Sequence, residues 1–176
     1  TLLPEQRLIA MRKLVLLSRK YPGRISANAG ALAEWNMFKQ MEHARKTGVM
    51  SKQFKMGKLS ACGCMLVKLA VHHDGTIAPC NMLGHSSLGK ITENSISTIW
   101  KTHPLLEKMR RRRDVSMLDV PGCEDCQWAP YCNGGCPSTE FTEKGDLMVT
   151  NAQSCYRKFI SETGGLPEIS EIGQND

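Results

Sequence analysis

No apolar run in this 176-residue chain approaches the ~18 residues that a membrane-spanning helix requires, so no helical span is expected. No secretory leader is expected either: the apolar stretch Leu14–Leu17 is short and flanked by charges. Without a sign of export, the oxidising compartment that disulfides need is not expected. No internal repeat and no low-complexity segment is present, which excludes solenoid and linker architectures. These absences together predict a soluble, cytoplasmic protein.

What is present suffices for a core. Counting Gly and leaving out Tyr raises the hydrophobic share from 41% to about 48%, ordinary for a globular domain. The net charge is +6, and part of it comes from the run Arg110-Arg111-Arg112-Arg113. At the end of a predicted helix such a run reads as a solvated face that offsets the negative end of the helix dipole. No nucleic-acid-reading module accompanies it, so nucleic acid is not an expected partner. A membrane is not expected as one either.

Pro4–Lys20 reads as an amphipathic helix, with Leu8, Met11 and Val15 at helical spacing and Pro4 in its first turn. Tyr21-Pro22-Gly23 ends it. Arg24–Asn28 reads as a short strand and Ala31–Lys46 as a second helix closed by Gly48. That order resembles the end of an α/β unit. Residues 49–60 are polar and lysine-rich and mark a domain boundary. Leu66–His72, the His73-Asp74-Gly75 turn and Thr76–Pro79 predict a β-hairpin. Asn94 or Ser95 caps a short helix through Trp100, and Pro104–Arg113 forms another. Residues 114–122 lead into an irregular loop that holds Pro130, Gly134, Gly135 and Pro137. Gln153–Glu162 is a last helix with Cys155 in its first turn, and the acidic tail follows from Gly164. The expected fold class is α+β. A terminal α/β fragment at residues 1–48 precedes a small cysteine-rich domain at 49–162 and a flexible tail at 163–176.

The eight cysteines carry the chemistry. Cys62, Cys64 and Cys80 flank the hairpin, and folding it brings its two ends together. The others form Cys123-x2-Cys126-x5-Cys132-x3-Cys136 and then Cys155. Cys-x2-Cys is a common zinc knuckle, but a paired Cys-x2-Cys partner is missing. Iron–sulfur ligation fits better. Bacterial ferredoxins end their cysteine run in Cys-x3-Cys-Pro and send the last cysteine to a second cluster, and Cys132-Asn133-Gly134-Gly135-Cys136-Pro137 ends the same way. A short loop wraps three corners of a bulky cubane but not easily the fourth. The partition that follows places Cys123, Cys126, Cys132 and Cys155 on one cluster. Cys62, Cys64, Cys80 and Cys136 go on the other, with either Cys62 or Cys64 open to being a bystander.

The pattern Cys64-x10-Gly75-x4-Cys80, Cys123-x2-Cys126-x5-Cys132-x3-Cys136 and Cys155 resembles the seven-cysteine signature of SPASM domains. These are C-terminal domains of radical S-adenosylmethionine enzymes that modify peptides and proteins. The resemblance spans roughly residues 60–160 and implies two auxiliary [4Fe-4S] clusters with the same crossed ligand sets. It also implies a partial barrel bearing Cys-x3-Cys-x2-Cys, which holds a third [4Fe-4S] cluster and S-adenosylmethionine. This chain has no such motif, so residues 1–48 are expected to be only the last elements of that barrel. No residue of the chain is read as catalytic, and alone it should not cleave S-adenosylmethionine. The family's sulfatase maturases carry an Asp after the hairpin cysteine, thought to act as a base. Here Asn81 stands in that place, and a carboxamide takes no proton at neutral pH. The resemblance therefore points to a ribosomal peptide maturase making another modification. Its expected partners are a precursor peptide and an electron donor such as a flavodoxin or ferredoxin.

Two alternatives stand beside this reading: an independent two-cluster electron-transfer protein, and a zinc-stabilised binding module that uses Arg110–Arg113. His43, His72, His73, His85 and His103 are expected at the surface or in the core rather than on metal, because eight thiols already satisfy two clusters. Trp128 and Tyr131, inside the cysteine loop, are candidates to shield a cluster, and so is Trp100. Met50, Met56, Met65 and Met82 read as packing residues.

Overall fold

Pro4 and Gly48 bound the two N-terminal helices as their chemistry suggests. The computed structural model describes residues 2–49, 56–59 and 66–167. Helix α1 runs Pro4–Lys20 with proline in its first turn. Helix α2 runs Gly30–Thr47 and closes on Gly48 in the left-handed conformation. The fold divides into two compact units, Thr1–Gln53 with Ala152–Asp176, and Phe54–Asn151.

The first unit is helical. Met11 and Val15 of α1 are buried, as are Leu32, Trp35, Phe38, Met41 and Ala44 of α2. The last helix of the chain, α6 at Tyr156–Thr163, supplies Tyr156 and Phe159. The Phe38 ring stacks on Tyr156 with centroids 4.6 Å apart and lies 5.2 Å from Phe159. Arg7 joins α1 to α2 through Glu34 at 2.9 Å. Burial, and then the Glu42 carboxylate beside it, push the Tyr156 hydroxyl well above the ordinary tyrosine range. The strand expected at 24–28 is not formed, so the N-terminal fragment is not α/β among its described residues. Those positions are turn and irregular backbone. A strand there would find no neighbour among the described residues of this unit for its N–H and C=O groups. Residues 49–162 were expected to form one domain. The structure groups Ala152 onward, with α6 and Cys155, with the N-terminal helices, because Tyr156 and Phe159 complete their core.

The second unit holds the sheet. Strands β1 (Ala70–Val71), β2 (Thr76–Ala78) and β3 (Gly89–Lys90) lie antiparallel in the order β1-β2-β3. Val71 faces Ile77, and Ile77 faces Gly89. The hairpin turn closes through His72 N–H to Thr76 O at 2.9 Å and Gly75 N–H to His72 O at 3.0 Å. Gly75, at φ +80°, supplies the left-handed residue such a loop requires. The Asp74 carboxylate accepts from Thr76 N–H and Oγ1, which holds its pKa below the ordinary value. Helix α3 (Ile96–Thr102) starts at Ser95, whose hydroxyl caps it, and α4 spans Pro104–Arg111. Helix α5 (Ser138–Lys144) follows the cysteine loop, at residues for which no element was expected.

This unit has two separate apolar clusters. Ile77, Leu83, Leu88, Ile99, Leu106, Met109 and Leu147 form the larger one under the sheet, α3 and α4. Leu59, Met117, Val120 and Ala129 form the smaller. The arginine run is not a uniform solvated face. Arg112 is 1% exposed, and its guanidinium donates to Val149 O at 3.2 Å. At Arg112 the helix tightens into a single 3₁₀ turn over Arg112–Asp114. Arg110 lies over the Trp100 ring at 4.8 Å, and Arg111 pairs with Glu107. Met82 is also unlike the expected packing residue, being 70% exposed. No described helix is long and apolar enough to cross a membrane.

Candidate metal centre

A repeating backbone bond organises the cysteine loop. Val120 N–H reaches Met117 O at 3.4 Å, Cys123 reaches Val120 at 2.9 Å, and Cys126 reaches Cys123 at 3.1 Å. Ala129 reaches Cys126 at 2.9 Å, and Cys132 reaches Ala129 at 3.2 Å. Each bond closes a turn of three residues; Val120 and Cys132 are extended and Gly122 is left-handed, so the run is a series of separate turns and not one 3₁₀ helix. The residues that close these turns are Met117, Val120, Cys123, Cys126, Ala129 and Cys132, and they gather on one side of the chain. The packing agrees: Cys123, Cys126 and Cys132 lie half-buried against the cluster of Leu59, Met117, Val120 and Ala129. The x2 and x5 spacings are thus both multiples of one structural repeat. This period of three was visible in the sequence from Met117 onward, and reading the segment as an irregular loop missed it.

A strap crosses the loop. Gly57 N–H donates to Cys132 O at 2.8 Å, while Gly57 O accepts from Met117 N–H at 2.9 Å. One residue thereby ties the first turn of the repeat to the last. Leu59 N–H donates to Val115 O at 3.0 Å, beside the antiparallel bridge of Lys58 with Ser116.

Cys136 breaks the repeat, four residues beyond Cys132, and it is exposed. Its sulfur lies 3.1 Å from Ser138 Oγ, and its carbonyl accepts from Asn151 Nδ2 at 2.9 Å. Cys80 follows β2 and opens the single turn Asn81–Leu83. It packs against the larger apolar cluster, not the smaller. Cys155 precedes α6 in the helical unit, where Phe159 N–H donates to its carbonyl at 2.9 Å. Cys62 and Cys64 lie outside the described residues, as do Met50 and Met65.

The described cysteines suit an iron–sulfur cluster on two observations. The thiolates of a cubane each meet a different iron and stand around a bulky body, which the spaced face of Cys123, Cys126 and Cys132 can border. Second, Gly134 shapes the loop for close approach. It is buried at φ +77°, and its N–H donates to Cys132 Sγ at 3.3 Å. Such a bond spreads the charge of a ligating thiolate. A Cβ at Gly134 would collide with the Leu59 side chain. Trp128 and Tyr131 are half-buried within the same loop.

Residues 62–127 match the family model of SPASM, an iron–sulfur cluster-binding domain. The SPASM resemblance read from the cysteine spacing is therefore met over those residues, which hold Cys62, Cys64, Cys80, Cys123 and Cys126. Iron–sulfur binding is what such a domain does, and it is typical of radical S-adenosylmethionine enzymes. Cys132, Cys136 and Cys155 lie beyond the matched segment. No curated protein and no solved structure gives a significant match to the chain.

Proposed function

We propose that this chain is the auxiliary-cluster part of a radical S-adenosylmethionine enzyme that modifies a ribosomally made precursor peptide in the cytoplasm. Cys123, Cys126, Cys132 and Cys155 hold one [4Fe-4S] cluster, and Cys62, Cys64, Cys80 and Cys136 hold the other. The observation that carries this reading is the period-three face. It gathers Cys123, Cys126 and Cys132 on one apolar cluster, whereas Cys80 belongs to the other and Cys136 leaves the repeat. Bound there, the clusters would supply one-electron transfer, with a flavodoxin or ferredoxin as donor. The protein's own part is to hold and screen them. The wall of Leu59, Met117, Val120 and Ala129 excludes water from the Cys123–Cys132 side, and Gly134 N–H offsets charge on Cys132. Asn81, which follows Cys80, offers no carboxylate base, so a peptide modification other than formylglycine formation fits best.

Two results follow. Loaded with reduced clusters and given S-adenosylmethionine, this chain alone is expected to make no 5′-deoxyadenosine. The coding sequence upstream of Thr1 is expected to supply a Cys-x3-Cys-x2-Cys motif. Deoxyadenosine made by the chain alone, or an upstream frame lacking that motif, would contradict the assignment.

A further inference from the structure

We propose that Ser138 is a positioning residue that sets the reduction potential of one iron–sulfur cluster by donating its hydroxyl hydrogen to the Cys136 sulfur. The proposal rests on the reading of Cys136 as a cluster ligand. The two atoms stand 3.1 Å apart. In a thiol either could donate, but a cysteine bound to iron has lost its proton, so the serine hydroxyl becomes the donor. Ser138 is only 5% exposed, which removes water as the partner of its hydroxyl and leaves the sulfur to satisfy it.

The sulfur is held where that bond can form. Asn151, 6% exposed, donates its N–H to Gly134 O at 2.8 Å and its Nδ2–H to Cys136 O at 2.9 Å. One side chain and its own peptide thus pin both ends of the Gly134–Cys136 segment. The buried guanidinium of Arg112, donating to Val149 O at 3.2 Å, fixes the chain leading to Asn151. At Cys132 the sulfur instead receives a backbone N–H, from Gly134. The donor at Cys136 belongs to a side chain, so a point substitution removes it without touching the backbone.

A hydrogen bond to a ligating sulfur stabilises the reduced cluster more than the oxidised one, because reduction adds negative charge. Ser138 therefore raises the potential of the cluster that Cys136 serves. The test is a redox titration followed by electron paramagnetic resonance, on the full chain with its clusters in place, comparing the native protein with Ser138→Ala. The variant should keep its full iron and sulfide. One cluster should become on the order of tenfold harder to reduce, which is about 59 mV for a one-electron couple, while the other does not move. Electron–nuclear double resonance should show an exchangeable proton coupled to one native cluster and missing in Ser138→Ala.

Full iron with both potentials and the proton signal unchanged would overturn the proposal. Outright loss of a cluster in Ser138→Ala would also overturn it, since Ser138 would then serve assembly and not potential. A Cys136→Ala variant that keeps all its iron would instead refute the ligand assignment, whatever Ser138→Ala does.

Discussion

Replacing Cys136 by Ala is expected to lower the iron of the reconstituted chain from about eight to about four atoms, with sulfide falling in step. Removing one of four thiolates opens an iron, and at an exposed position that iron meets solvent. Pairs of substitutions tell which cluster is lost. Cys80→Ala combined with Cys136→Ala should still leave about four irons, because both thiols serve the same cluster. Cys132→Ala combined with Cys136→Ala should leave almost none, although these two cysteines are near neighbours in the sequence. About four irons in the second pair and almost none in the first would reverse the crossed ligand sets. Metal analysis with sulfide determination reads all three variants.

Gly134→Ala is expected to destabilise the cysteine-rich unit by about 2–5 kcal/mol. Two effects add. A side chain at φ +77° occupies the left-handed region, at about 1–2 kcal/mol. The new Cβ also runs into the side chain of Leu59, a fully buried residue, and overpacking of this kind costs about 1–3 kcal/mol. Gly145→Ala is the control. Its φ is +68°, but nothing lies within 4 Å of an added Cβ, so only the backbone part, about 1–2 kcal/mol, should appear. Anaerobic urea unfolding of the two variants measures the difference. Equal midpoints would mean that the loop does not approach Leu59 as closely as the structure shows.

Local signals carried much of this fold into the sequence. Pro4 and Gly48 marked helix ends because their backbone chemistry acts on neighbours alone, and His73-Asp74-Gly75 marked the hairpin for the same reason. Strand β3 was invisible: two residues, Gly89 and Lys90, carry no alternation, and Ile77 and Thr76 recruit them from across the sheet. Helix α5 was hidden by the glycines before it, although Phe141 and the closing Gly145 gave the usual signs. Arg112 was misread because its burial depends on the Val149 carbonyl, far along the chain. The cysteine ligands stood out by residue type and spacing. The reason for the spacing, a turn repeating every three residues against Leu59, needed the backbone bonds.

Anaerobic reconstitution of the chain with iron and sulfide tests the central claim most directly. The account predicts a brown protein with charge-transfer absorption in the visible, holding about eight irons and eight sulfides per chain. A colourless protein that holds zinc and no sulfide would contradict it.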